Sequence, residues 1–222
     1  GMVSEIGARF EMTWKFIDPS IPHRTLMLVS KFDHCLNDLL YRKQTGELNI
    51  AVTTVASNHP DLEPLARFHQ APFEVLPTGQ SKLATKAAQE DRIRDLIDAH
   101  DVELVVLARY MQVLSDELCQ ELAGRCINIH HSFLPSFKGA RPYHQAFERG
   151  VKAIGATAHY VTADLDEGPI IDQEVARVDH TFGPDQLLAT GRNVENYALS
   201  RAVKAHSEHR VFLNGHKTVV LK

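Results

Sequence analysis

Residues 104–131 read LVVLARYMQVLSDELCQELAGRCINIHH. Leu104–Ala108 is a short, continuous apolar run of the kind found in strands covered on both faces. Ser115 is placed to cap a short helix through Leu122. Arg125–His130 is then a second strand, whose apolar pattern breaks off into Asn128, His130 and His131. A strand, a short helix and another strand in so few residues point to parallel pairing with a right-handed crossover.

The same alternation extends in both directions. Upstream, strands are expected at Thr25–Ser30, Asn49–Ala56 and Phe73–Leu76. Between them lie helices from Asp33 (a candidate N-cap) through Lys43, over Leu62–His69, and over about Ala84–His100. Downstream, a helix at Tyr143–Arg149 precedes strands at Ala153–Val161 and Ile170–Arg177, then a long helix at Pro184–His206 with proline in its first turn. Asn214-Gly215, set between two apolar runs, signals a closing hairpin. The fold class is therefore α/β, a doubly wound, mostly parallel sheet, carried by residues 24–222. Residues 1–23 fit that domain poorly. Ala8–Ile17 alternates enough to be one strand, and Asp18-Pro19-Ser20-Ile21-Pro22 reads as a linker, so this segment is expected to be an arm or the remnant of another unit.

Composition narrows the function classes. Hydrophobic residues make up 44% and charged residues 23%, ordinary values for a globular protein. The formal charge is −4 and the 24 Lys and Arg are scattered, which argues against nucleic acid as a partner. No apolar run approaches the ~18–20 residues that span a bilayer, and no signal segment opens the chain. The three cysteines, Cys35, Cys119 and Cys126, have no C-x-x-C spacing, so neither a disulfide framework nor a structural zinc site is indicated. The expected setting is cytoplasmic, with no membrane partner.

In open parallel sheets, ligands bind at the carboxyl ends of the strands. Ser30-Lys31-Phe32, Arg109-Tyr110-Met111-Gln112 and Asn128–His131 all begin at such ends. Asn128 and His130 are two apart, so on a strand both side chains share a face. An amide donor and an imidazolium aimed at one point form a credible oxyanion site for addition to a carbonyl. Asp166 lies on an acidic loop that could bring a carboxylate beside them, to favour the imidazolium and to orient or deprotonate a water. Each element alone has a plainer reading. A strand-end histidine is most often hydrogen-bonded structure, and Asp-Glu-Gly-Pro is most often a turn. Their co-occurrence at one end of a sheet is what favours a site. His130, His144, His159 and Asp166 include zinc-ligand types but lack a recognisable spacing, so no metal is expected.

The motifs NIH followed by SFLP, then KGARPYHQA, GATAHYV and DLDEGPII, resemble the folate-dependent formyltransferase fold family from about Leu26 to the C-terminus. The resemblance implies a Rossmann-like fold and a catalytic trio at Asn128, His130 and Asp166. It places folate contacts at Met111, Gln112 and Leu114 in the loop after LVVLA, with the backbone from Ala163 and Asp164 to Asp166 at the pterin end. Ser132 and Gly139 fall on its S-x-L-P-x-x-x-G segment, and Thr157 and His159 on its second polar strand.

Relatives that pass the formyl group to glycinamide ribonucleotide carry a Gly-Ser-Asn phosphate cradle after strand one. Here that loop reads Ser30-Lys31-Phe32-Asp33-His34-Cys35, without the glycine and with an added acid. His131 also stands where such relatives usually have proline. The resemblance therefore implies the hydrolytic branch: 10-formyltetrahydrofolate and water as the small-molecule partners, tetrahydrofolate and formate as products, and no cofactor. That activity would supply formate and balance folate pools for purine synthesis. Transfer to glycinamide ribonucleotide or another amine is the alternative reading, and a non-catalytic folate-binding protein is a third. Hydrolytic relatives also carry an N-terminal ACT-type regulatory domain, of which Ala8–Ile17 would be the last strand. Amino-acid regulation is then in doubt, and a homo-oligomer is expected.

Overall fold

The computed structural model of the chain describes residues 2–12, 14, 16–76, 82–132 and 142–222. Its apolar runs form β1 (His23–Val29), β2 (Ile50–Ser57), β3 (Phe73–Val75), β4 (Leu104–Leu107) and β5 (Cys126–His130), paired in parallel in the order β3-β2-β1-β4-β5. β6 (Ala153–Tyr160) and β7 (Ile170–Arg177) extend the sheet antiparallel beyond β5. The chain order reverses between β1 and β4, which opens a crevice at the carboxyl ends of those strands. The expected α/β class and mostly parallel sheet are what the chain adopts.

Helices cover both faces, and that is why the central strands can be apolar throughout. Leu26, Met27, Leu28 and Val29 are completely buried. Met27 and Val29 join one core with α2 (His34–Gln44), α3 (Glu63–Phe68) and α7 (Pro184–Ser207). Leu26 and Leu28 join the opposite core with α4 (Lys82–Ala99) and α5 (Asp116–Glu121). Each such side chain stabilises the fold by roughly 1.5–3 kcal/mol relative to exposure. The helix α6 (Pro142–Arg149) packs on the start of α7 through a small third cluster that includes Tyr143, Ala146 and Leu187.

Several local expectations need correction. Ala8–Ile17 is not a strand among the described residues. The chain begins with α1 (Met2–Arg9), and the Phe10 and Met12 N–H groups donate back to the Ile6 and Gly7 carbonyls at 3.1 and 2.9 Å. Among the described residues no strand pairs with this segment, and its backbone bonds to itself, as a helix can and an isolated strand cannot. What changes is the strand alone: this segment is helical at its start and irregular beyond it among the described residues. Asp33 occupies the N-cap position of α2 but its side chain makes no capping bond. In the terminal hairpin of β8 (Val211–Asn214) and β9 (Lys217–Val220), the two turn residues are Gly215 and His216 rather than Asn214 and Gly215. Gly215 takes φ 60° at the first turn position, the choice that fits the twist of the two strands.

A histidine cluster at the far end of α7 sets a pH dependence. The Tyr160 hydroxyl of β6 and His206 Nδ1 share a hydrogen bond of 2.7 Å. The His206 ring is also 5.3 Å from that of His23, which is itself 5.3 Å from that of His209. Burial, then the neighbouring His23 and His209, push the His206 pKa down from 6.5 to about 4. The unfolded chain therefore takes up this proton more readily, so the contribution is full above pH 6.5 and is lost as pH falls towards 4. The shift corresponds to about 3 kcal/mol. Urea unfolding at pH 7 and at pH 4.5 is expected to show a smaller acid loss in His206→Asn than in the wild type, by about that amount. Equal losses would assign the acid sensitivity elsewhere.

Candidate active site

The parallel strands end together, and the loops beyond those ends converge on one cavity of about 260 Å³. Its walls are the loop after β4 (Arg109 to Leu114), the end of β5 (Asn128 to His131), His159 of β6, and the acidic loop from Val161 to Asp166. Asn128 and His130 share a face of β5, as their spacing requires.

The contacts among these groups define their protonation. His159 is 2% exposed and its Nδ1 lies 2.9 Å from the Tyr160 carbonyl, so Nδ1 carries the proton. Burial lowers its pKa below the ordinary 6.5 despite the Tyr160 carbonyl and Asp166, which favours the neutral ring. His159 Nε2 is then an acceptor, and the Asn128 amide donates to it at 3.3 Å. That bond fixes the amide orientation and leaves the second Nδ2 hydrogen available. His130 Nδ1 is 3.2 Å from Asp166 Oδ1, while its Nε2 is buried without a hydrogen-bond partner among the described residues. Burial by itself would raise the Asp166 carboxyl, but the His130 hydrogen bond and, after it, the charge of His130 outweigh it. The group sits below its ordinary 3.8 and is a carboxylate at neutral pH.

Asp166 has φ 60°, a left-handed conformation that aspartate tolerates better than most residues. Gly168 allows the acidic loop to return against β6. A β-carbon at that position would lie 1.7 Å from the Tyr160 carbonyl oxygen. Pro169 then accepts the Tyr160 N–H at 2.9 Å.

The loop after β4 is tied down along its length. Met111 N–H donates to Ser30 Oγ at 3.0 Å, and Ser30 donates in turn to Asn58 Oδ1 at 2.7 Å. At the other end, Ser115 donates through its N–H and its hydroxyl to the buried Glu90 carboxylate at 2.7 and 2.5 Å. Ser115 Oγ also caps α5 by accepting the Leu118 N–H at 3.2 Å. Met111, Gln112 and Leu114 all line the cavity, as do His159 and Ala163. Three other expected site residues stand back from it. Thr157 is fully buried and donates to the Ser132 carbonyl at 3.0 Å, so both support the end of β5 rather than face the opening. The Asp164 side chain is exposed, and its carbonyl accepts the Thr162 hydroxyl at 3.0 Å. Gly139 lies outside the described residues.

A second buried polar group adjoins this cavity, and the sequence alone does not single it out. Glu195 of α7, 1% exposed, takes the Tyr143 hydroxyl at 2.6 Å, faces His34 Nε2 at 2.7 Å, and lies 3.5 Å from Arg109 Nε. Burial would raise its carboxyl, but His34, Arg109 and Tyr143 hold it below the usual carboxylate value. An acid inside the apolar stripe of Leu187, Val194, Ala198 and Ala202 was the available signal. His34, Cys35 and Glu195 bring potential ligand atoms within 4.8 Å of one another. The adjacent Arg109 guanidinium opposes a cation there, and burial followed by the Glu195 charge keeps Cys35 a neutral thiol. The zinc-type set of His130, His144, His159 and Asp166 also fails, because His144 is exposed on α6 and is not on the cavity wall.

Comparison with known proteins agrees with this architecture. The formyl transferase family profile matches residues 23–203. A formyltetrahydrofolate deformylase of Corynebacterium sp. (strain P-1) is 56% identical over 219 residues, 99% of this chain and 76% of that protein. The crystal structure of formyltetrahydrofolate deformylase from Burkholderia mallei superposes with a TM-score of 0.91 at 55% identity, covering 100% of this chain and 78% of that one. Glycinamide ribonucleotide transformylase 1 from Symbiobacterium toebii follows at TM-score 0.82 and 30% identity, covering 95% of this chain and 98% of that one. Among the described residues, no helix is long and apolar enough to cross a membrane.

Proposed function

The chain belongs to the formyl transferase family, among the formyltetrahydrofolate deformylases, and from that membership we propose that Asn128, His130 and Asp166 carry its reaction. That reaction is hydrolysis of 10-formyltetrahydrofolate to tetrahydrofolate and formate. The folate would lie along Met111, Gln112 and Leu114, with Ala163 and its loop at the pterin end, all on the wall of the same cavity. Thr157 and Ser132 act by holding the end of β5 in place, and His159 by orienting the Asn128 amide.

The observation that carries the catalytic assignment is the ordered set of contacts at the end of β5. Asn128 keeps one amide hydrogen for an oxyanion on the formyl oxygen. His130, held through Nδ1 by the Asp166 carboxylate, has Nε2 as its one nitrogen without a partner among the described residues. That nitrogen takes the proton of the attacking water and returns it to N10 as the carbon–nitrogen bond breaks. Asp166 fixes the ring and stabilises its charged form, the role a carboxylate plays beside a catalytic imidazole.

We also propose that residues 1–23 are an arm outside a catalytic domain at 24–222, because the family profile begins at residue 23. A homo-oligomer fits the exposed apolar side chains of the terminal hairpin, Phe212, Leu213 and Val219. The three cysteines are free and buried, as suits a cytoplasmic enzyme.

The deciding assay is formate release from 10-formyltetrahydrofolate with and without glycinamide ribonucleotide. Release with water alone, not accelerated by the amine, is the expected result. Turnover that requires the amine would move the chain to the transferase reading.

A further inference from the structure

Arg109 is a buried cation in a strained place. It lies two residues beyond the end of β4, with φ 64°, a left-handed backbone that is uncommon for any residue but glycine. Such strain costs of order 1–3 kcal/mol and persists where surrounding structure enforces it, most often at functional sites. Two contacts enforce it here. The guanidinium carbon lies 4.9 Å from the centre of the Phe32 ring, and Nε lies 3.5 Å from Glu195 Oε2. Glu195 is in turn fixed by His34 and Tyr143. Tyr143 can sit there only because position 191 is glycine, since a β-carbon at that position would lie 2.1 Å from its ring.

The guanidinium is held but not saturated. Its side chain is only 10% exposed, and Nε has no hydrogen-bond partner among the described residues. Nor is any hydrogen bond from its two terminal nitrogens present among them. Arg109 is also the one lysine or arginine among the described residues that line the cavity, which Asn128 and His130 line as well. A buried guanidinium whose N–H groups have no hydrogen-bond partner among the described residues is a fork for a planar anion, and formate is the smallest carboxylate.

We propose that Arg109 is the formate subsite: it receives the carboxylate that the reaction produces. The inference rests on the hydrolytic reading. A water oxygen joins the formyl carbon, the carbon–N10 bond breaks with its electron pair going to N10, and N10 takes one of the water protons. The formic acid so formed loses its remaining proton to solvent, and the anion pairs with the guanidinium. Glu195 is the positioning residue: it orients Arg109 and keeps the cation from being a bare buried charge.

The test uses the whole chain and ¹³C-labelled sodium formate, with binding read from formate relaxation in NMR. Wild type is expected to bind formate, with planar nitrate competing better than spherical chloride. Arg109→Gln is expected to weaken binding by about ten- to hundredfold, the loss of a charge-assisted pair. Arg109→Lys, which keeps the charge but not the fork, is expected to fall between. Hydrolysis by Arg109→Gln is expected to lose its inhibition by added formate, with thermal unfolding checked in parallel. Formate affinity unchanged in Arg109→Gln, no binding by wild type, or equal competition by chloride each overturns the proposal. Failure of the hydrolytic reading has a different mark: wild type releases no formate from 10-formyltetrahydrofolate, whatever its affinity for formate.

Discussion

Asn128→Ala is expected to lower kcat for 10-formyltetrahydrofolate hydrolysis by about 10²–10³, the usual cost of one oxyanion donor. The amide is anchored at 3.3 Å to a neutral His159, so its free hydrogen is already oriented before the charge develops. An interaction made only in the transition state lowers kcat and kcat/KM together and leaves KM near its starting value. A KM effect alone would make Asn128 a folate contact instead. The side chain is partly buried rather than a core anchor, so melting temperature should move little. Asp166→Asn should also lose turnover, because an amide oxygen or nitrogen facing His130 Nδ1 no longer selects the tautomer and charge that the carboxylate does. Its signature differs. The Asp166 carboxyl titrates below 3.8, so the wild-type carboxylate persists at mildly acid pH, and the pH profile of the Asn variant departs from wild type across the whole neutral range.

The second large effect is expected from Gly168→Ala, a change that touches no substrate. The added methyl would fall 1.7 Å from the Tyr160 carbonyl oxygen and 2.9 Å from its carbon, and both are backbone atoms of a central pairing rather than a flexible side-chain tip. One side must therefore move. Tyr160 is paired with Ile127 of β5 and donates its N–H to Pro169, so the acidic loop is the part that yields. Asp166, two residues away, moves with it. Overpacking of this kind costs about 1–3 kcal/mol of stability. A displacement of about 1 Å at a catalytic group costs about 10²-fold in rate. We expect both, read as a lower melting temperature and a kcat loss that formate or folate binding does not restore. Wild-type turnover in Gly168→Ala would show that the loop tolerates the shift and that Asp166 placement is not critical.

These two expectations come from different layers of the molecule. Asn128, His130 and Asp166 are legible in the sequence because chemistry-bearing residues interrupt an otherwise apolar pattern at strand ends. A strand run such as Leu104–Ala108 reports its own burial, since only a strand covered on both faces has no polar alternation. The loop anchors at Ser30 and Glu90 are not legible. Their partners, Met111 and Ser115, are 81 and 25 residues away. The segment at the start of the given sequence defeats sequence reasoning for a related reason. Alternation over ten residues is compatible with a strand, but a strand exists only where a neighbour supplies its hydrogen bonds, and none does so here among the described residues.

The class of fold, the order of its elements, and the candidacy of the polar residues at the end of β5 and on the acidic loop are all written in the chain. They depend on local periodicity and on residue chemistry, which need no knowledge of distant partners. Folding in three dimensions was needed to show that His34 and Glu195, 161 residues apart, meet at 2.7 Å, and that together with Tyr143 they form the buried group beside Arg109. That meeting depends on β1 and β4 being adjacent in the sheet and on α7 crossing over them. Strand order is set by how whole faces pack, and no single stretch of sequence encodes it.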